Sequence, residues 1–169
     1  MLAGLLADAA FAQDGGAGEY EIKAAFLLDF ARFTEWSPSA FSNATQPLVI
    51  GIIGQDPFDS EILDGLSHKK FNGRAVTIRH FKRAPDIDVC HVLFVGSVKD
   101  KELPVILDAI KDRGILTVGE SAGFLAAGGM IRFLFQDEKI RFEVNLRTVE
   151  NTSVKLSSRL LGVAITVRQ

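Results

Sequence analysis

Leu48–Ile53 carries no polar side chain, and Val89–Val95 comes close to repeating the pattern before Gly96. A strand without a polar face must be covered on both sides, which is the situation of a parallel sheet between helical layers. The neighbouring segments supply those layers. Glu19–Trp36 places Ile22, Ala25, Phe26, Leu28, Phe30 and Phe33 at helical spacing, and Ser37-Pro38 stops it. Ser60–Leu66 and Lys101–Lys111 read as shorter helices, the second through Leu103, Ile106, Leu107 and Ile110 and closed by Gly114. Ala75–Phe81 and Ile115–Val118 read as further strands. Phe81 to Val89 is short for a crossover helix, so a single turn should serve there. Ser157 and Ser158 suit the N-cap of a last helix, Arg159–Val167, with Leu160, Leu161 and Ala164 inward. The expected fold class is α/β: a mostly parallel sheet flanked by helices on both faces, with an antiparallel C-terminal hairpin at the edge.

That hairpin is the sharpest local signal. Ile131–Phe135 and Ile140–Asn145 alternate apolar and polar residues around the turn Gln136–Lys139. With Asp137 and Glu138 at the turn centre, position 132 pairs with 143 and 133 with 142. One face then stacks Phe133 on Phe142, Ile131 on Val144 and Phe135 on Ile140. The other sets Arg132 opposite Glu143, an opposite-charge cross-strand pair, with Arg141 and Asn145 beside it. No other stretch offers a comparable polar working surface, so Arg132, Arg141, Glu143 and Asn145 are the candidate partner-binding residues. Arg32 and Trp36, on the aromatic first helix, come second.

A chain of 169 residues is long enough for one domain with a genuine core. Its net charge of -2 supplies no basic stripe for nucleic acid. No apolar run reaches the roughly 18 residues of a membrane span. Residues 1–12 are small and apolar and end in Ala10-Phe11-Ala12, the small-x-small pattern before a signal-peptidase cut. The expectation is a secretory signal truncated at its N-terminus, a loose spacer over 13–18, and a single domain over 19–169 in an oxidising compartment. Cys90 is the only cysteine, so no internal disulfide is possible, and on a strand it reads as a small buried hydrophobe.

Catalytic patterns fail on order or completeness. Gly119-Glu120-Ser121-Ala122-Gly123 matches the Gly-x-Ser-x-Gly turn of serine hydrolases and follows a strand. In that fold the acid and then the histidine follow the serine, whereas His68, His80 and His91 all precede Ser121. A strand-to-helix turn that needs glycine is the better reading. Gly51-Ile52-Ile53-Gly54 lacks the Gly-Lys-Ser/Thr end of a phosphate loop. Gly96-Ser97 stands where a receiver domain would keep its phosphoacceptor aspartate, and the three histidines lack metal spacing. The chain is therefore expected to be an interaction protein and not an enzyme, with no cofactor and no metal site. The alternative is a small-molecule-binding module, its ligand held where the strands end, at Gly54–Asp56, Gly96-Ser97 and Gly119–Ser121.

Three segments together carry a resemblance: Lys23-Ala24-Ala25-Phe26-Leu27-Leu28-Asp29-Phe30-Ala31-Arg32-Phe33-Thr34-Glu35-Trp36; Gly114–Val118 through Phe124 to Gly128-Gly129-Met130-Ile131; and Ile140–Asn145 with Leu156-Ser157-Ser158-Arg159-Leu160-Leu161. In this order and spacing the chain resembles the YfiR family (DUF4154) from about Glu19 to Val167. The resemblance implies a periplasmic α/β protein that tends to dimerise and has no known catalysis. It implies repression of an inner-membrane diguanylate cyclase through the cyclase's periplasmic domain, relief by an outer-membrane lipoprotein, and so control of cyclic-di-GMP and biofilm formation. It places the contact segment on Arg141–Asn145. Family members commonly pair a cysteine near Cys90 with one on the first strand, where this chain has Gly51. Redox control through that pair is not expected here.

Overall fold

The computed structural model describes residues 17–169. Its elements are α1 (Ala17–Arg32), β1 (Thr34–Glu35), β2 (Leu48–Ile53), α2 (Ser60–Ser67), β3 (Lys70–Phe71), β4 (Arg74–Phe81), β5 (Val92–Val95), α3 (Leu103–Ile110), β6 (Leu116–Gly119), β7 (Ile131–Gln136), β8 (Lys139–Asn145), α4 (Leu146–Glu150), β9 (Lys155–Leu156), α5 (Ser158–Val163) and β10 (Thr166–Arg168). Eight strands form one sheet in the order β10-β8-β7-β6-β5-β2-β4-β3, while β1 and β9 make a separate pair. From β4 through β2, β5 and β6 to β7 every neighbour is parallel. β8 runs antiparallel to β7, and β10 returns parallel to β8.

The apolar strands sit at the centre because both of their faces are needed. Leu48, Ile50, Ile52, Val92 and Phe94 point into a core shared with α1 and α2. Ile53, Leu93 and Val95, at alternate positions, join a second core with Leu103, Ile106, Leu107 and Ile110 of α3. Helix starts follow side-chain caps: Asp59 accepts the Ile62 N–H for α2, and Ser157 accepts the Leu160 N–H for α5. The short link after β4 is a single 3-10 turn, Ala84–Asp86. Between β6 and β7 the chain wraps around Phe124, which is fully buried. A Cβ on Gly119 would come within 2.5 Å of that ring, and one on Gly129 would also collide with it. Gly119, the first glycine of the Gly-x-Ser-x-Gly segment, is therefore required by packing against an aromatic ring.

Several expectations need correction. The first helix ends at Arg32, not Trp36, because Thr34–Glu35 leaves to pair with Lys155–Leu156. On that helix Lys23 is buried and Ala25 exposed, the reverse of the periodic reading. The last helix stops at Val163, and the residues after it form β10. β10 therefore takes the sheet edge, and the hairpin lies one strand inside it. β5 begins at Val92, two residues beyond Cys90. The leader and most of the spacer lie outside the described residues, while Ala17 and Gly18 already belong to α1. Among the described residues no helix is long and apolar enough to cross a membrane.

Candidate functional site

The hairpin register is the expected one: Arg132 pairs with Glu143, Phe133 with Phe142 and Ile131 with Val144. Asp137 and Glu138 form a two-residue turn with φ of 51° and 60°, the left-handed pair that matches strand twist in a tight hairpin. Phe133, Phe142, Ile131, Val144 and Ile140 enter the first core, where Phe133 and Phe142 pack on Phe30 at 5.5 and 4.9 Å. Phe135 pairs with Ile140 as expected but is 58% exposed, because it stands at the hairpin tip beyond the reach of α1.

The polar face departs from a simple exposed ion pair. Arg132 Nη1 donates to Glu143 Oε1 at 2.8 Å, and the Glu143 side chain is only 8% exposed. β10 brings a second guanidinium, with Arg168 Nη2 3.6 Å from Glu143 Oε2. The carboxylate is thus held between two cations, while the buried Arg132 Nε has no acceptor among the described residues. Arg141, two residues along β8, lies on the same face with no ion pair of its own among the described residues. Asn145 does structural duty: its Oδ1 caps α4 by accepting the Thr148 N–H, and its Nδ2 donates to Leu125 O. Arg32 and Trp36 lie elsewhere. Arg32 donates to Asp29 and Lys70 O, and Trp36 Nε1 donates to Ala31 O at 3.0 Å.

A second polar cluster escaped the sequence reading. Lys23, 4% exposed, places its Nζ 2.5 Å from Glu19 Oε1 and 2.6 Å from Glu120 Oε2. Tyr20 donates to Glu120 Oε1 at 3.1 Å, and its ring lies 4.6 Å from the Lys23 ammonium. Burial, with the Glu120 carboxylate next in weight, pushes the Tyr20 phenol up to about 12. This cluster ties α1 to the turn after β6. The i, i+4 spacing of Glu19 and Lys23 was visible in the sequence, but Glu120, some hundred residues away, was not.

The proposed ligand crevice between β2 and β5 is narrowed by the backbone. Gln55 N donates to Ser97 O at 3.0 Å, Gly96 N donates to Ile53 O at 2.8 Å, and a side chain on Gly96 would strike Gln55. A cavity of about 450 Å³ remains outside that bridge, bounded by Gly54, Lys82, Lys99 and Glu102. A larger open groove of about 970 Å³ runs between α1 and α2 over Ala24, Leu28, Ile62 and Leu66.

Ser121 is exposed on its turn, and the three histidines make their contacts elsewhere. His68 meets Asp64, and His80 Nε2 lies 2.7 Å from Asp56 Oδ2. His91 is buried, its Nδ1 accepting the Val49 N–H and its Nε2 lying 2.9 Å from Ala40 O. Cys90 is a free buried thiol that donates to Val92 O, and burial pushes it up to about 12. Among the described residues no three His, Cys, Asp or Glu side chains gather as metal ligands.

Among the segments on which the family resemblance rests, the α1 motif and the β7–β8 hairpin pack together in the first core, while Phe124 lies in the second. A comparison with curated proteins finds no match. Residues 20–165 match the YfiR/HmsC-like family (DUF4154), most of the chain, and the protein belongs to that family.

Proposed function

We propose that this protein is a periplasmic regulator that represses a membrane-bound diguanylate cyclase by binding its periplasmic domain, and so lowers cyclic-di-GMP and biofilm formation. Membership of a family of periplasmic regulators supports the setting. The single observation that carries the contact surface is the sheet face of β7, β8 and β10, where Arg141 lies unpaired among the described residues beside the Arg132–Glu143–Arg168 cluster. Asn145 belongs to that surface as the cap that holds the end of β8 in place. A homodimer and relief by an outer-membrane lipoprotein complete the reading.

The test is a strain lacking the chain. Cyclic-di-GMP and surface attachment should rise on deletion and fall again when the gene is restored in an exported form. Unchanged cyclic-di-GMP in the deleted strain would remove the regulatory role.

A second reading, a small-molecule-binding module, draws on the 970 Å³ groove between α1 and α2. A ligand retained in native mass spectra of the exported protein would support it.

A further inference from the structure

The regulatory reading leaves the chemistry of the partner open, and the polar sheet face speaks to it. On the α3 side the second core takes no residue from β7, β8 or β10. On this side that end of the sheet carries polar side chains, of which Lys139 and Arg168 are exposed and Arg132 and Arg141 half-buried. Residues 139, 141, 143 and 145 of β8 share this face by strand alternation, opposite 136, 134 and 132 of β7 and beside 166 and 168 of β10. It carries Arg132, Lys139, Arg141 and Arg168 against one carboxylate, Glu143, in a chain whose net charge is -2.

Resting on the reading above, we infer that this face docks an acidic protein surface, whose carboxylates are received by Arg141 and Arg168 and by the guanidinium of Arg132. Glu143 is spent: it already faces two cations and is nearly buried. Among the described residues Arg141 and Lys139 have no ion-pair partner, and Arg168 keeps most of its side chain in solvent. Arg132 uses Nη1 on Glu143 and leaves Nε without an acceptor among the described residues, so a small turn of its guanidinium toward an arriving carboxylate would satisfy both. The planar fork of arginine suits bidentate carboxylates. Leu134, half-buried between Arg132 and Gln136, adds an apolar floor. An anionic bilayer fits less well, because Asp137 and Glu138 occupy the tip of the hairpin.

The experiment titrates the isotope-labelled protein with octaglutamate at low salt and follows backbone amide shifts. Saturable shifts confined to residues 131–145 and 166–168, weakened at least tenfold in Arg141→Glu/Arg168→Glu and by added salt, support the inference. Arg141→Gln/Arg168→Gln is the second variant should the double reversal unfold, and Lys101→Glu, just before α3 and outside this face, should bind as the parent does. No shifts, shifts spread over Lys82 and Lys99, or equal binding by both arginine variants would overturn it. Binding to phosphatidylglycerol vesicles but not to octaglutamate would overturn it in favour of a membrane. Cyclic-di-GMP repression separates the two levels of the argument. A parent chain that fails to repress removes the regulatory reading. A parent that represses, with arginine variants that repress equally, removes only this docking face.

Discussion

A Cβ on Gly51 would stand 2.8 Å from Cys90 Sγ. Position 51 is therefore against the thiol, where the family resemblance implies a second cysteine. Phe81 Cε2 at 2.7 Å and Leu93 Cδ1 at 3.1 Å crowd the same point. We expect Gly51→Cys to be destabilised while reduced and to form a bridge to Cys90 on oxidation. The oxidised form should exceed the reduced one by about 2–4 kcal/mol in urea unfolding. Two thiols titrating after air oxidation and denaturation would refute the bridge.

Tyr20 is the only tyrosine, so phenolate absorbance reads it alone. Its midpoint should lie near 12, where burial and the Glu120 carboxylate hold it, and should fall toward 10 in Glu120→Gln. The folded pKa is the higher one. Its contribution to stability is thus complete below about pH 10 and lost as pH rises toward about 12.

His91 is held neutral. Burial pushes it below the usual histidine range, with Arg74 adding to the effect against the pull of the Ala40 hydrogen bond. Protonation would also set an Nδ1–H against the Val49 N–H. The folded pKa is the lower one, so this stability is present above about pH 6.5 and declines as pH falls toward the depressed value. Urea midpoints followed through the single tryptophan, Trp36, whose ring meets His91 edge-on at 5.9 Å, should drop between pH 7.5 and pH 5.5. The drop should be smaller in His91→Gln, with His68 and His80 present in both proteins.

Glu143 and Arg141 should separate stability from docking. Glu143→Lys would put a third cation between Arg132 and Arg168 and cost about 3–5 kcal/mol, the penalty of a broken buried pair. Arg141→Glu should change stability by less than about 1 kcal/mol. Equal melting temperatures for the two variants would contradict the buried position of Glu143.

Local periodicity carried much of the architecture. The runs Leu48–Ile53 and Val92–Val95 show no polar face, and only central parallel strands tolerate that. The hairpin register was equally legible, since period-2 alternation with a two-residue turn leaves one pairing that buries the phenylalanines. The burial of Glu143 was not legible, for a nonlocal reason. β10 pairs beside it and brings Arg168 to its carboxylate, and Thr166-Val167-Arg168 is too short to show a period. Lys23 was read past for a similar reason, because a buried lysine is tolerable only beside its carboxylates and one of them lies beyond β6.

From its sequence alone, this chain committed its central strands to burial and Arg132 to a place opposite Glu143, because alternation and turn length act between near neighbours. Tertiary structure decided that β10 would pair beside β8 and bring Arg168 to Glu143, and that Lys23 would meet Glu120. Those outcomes depend on which distant segments reach the same place, and residue spacing along the chain does not encode that.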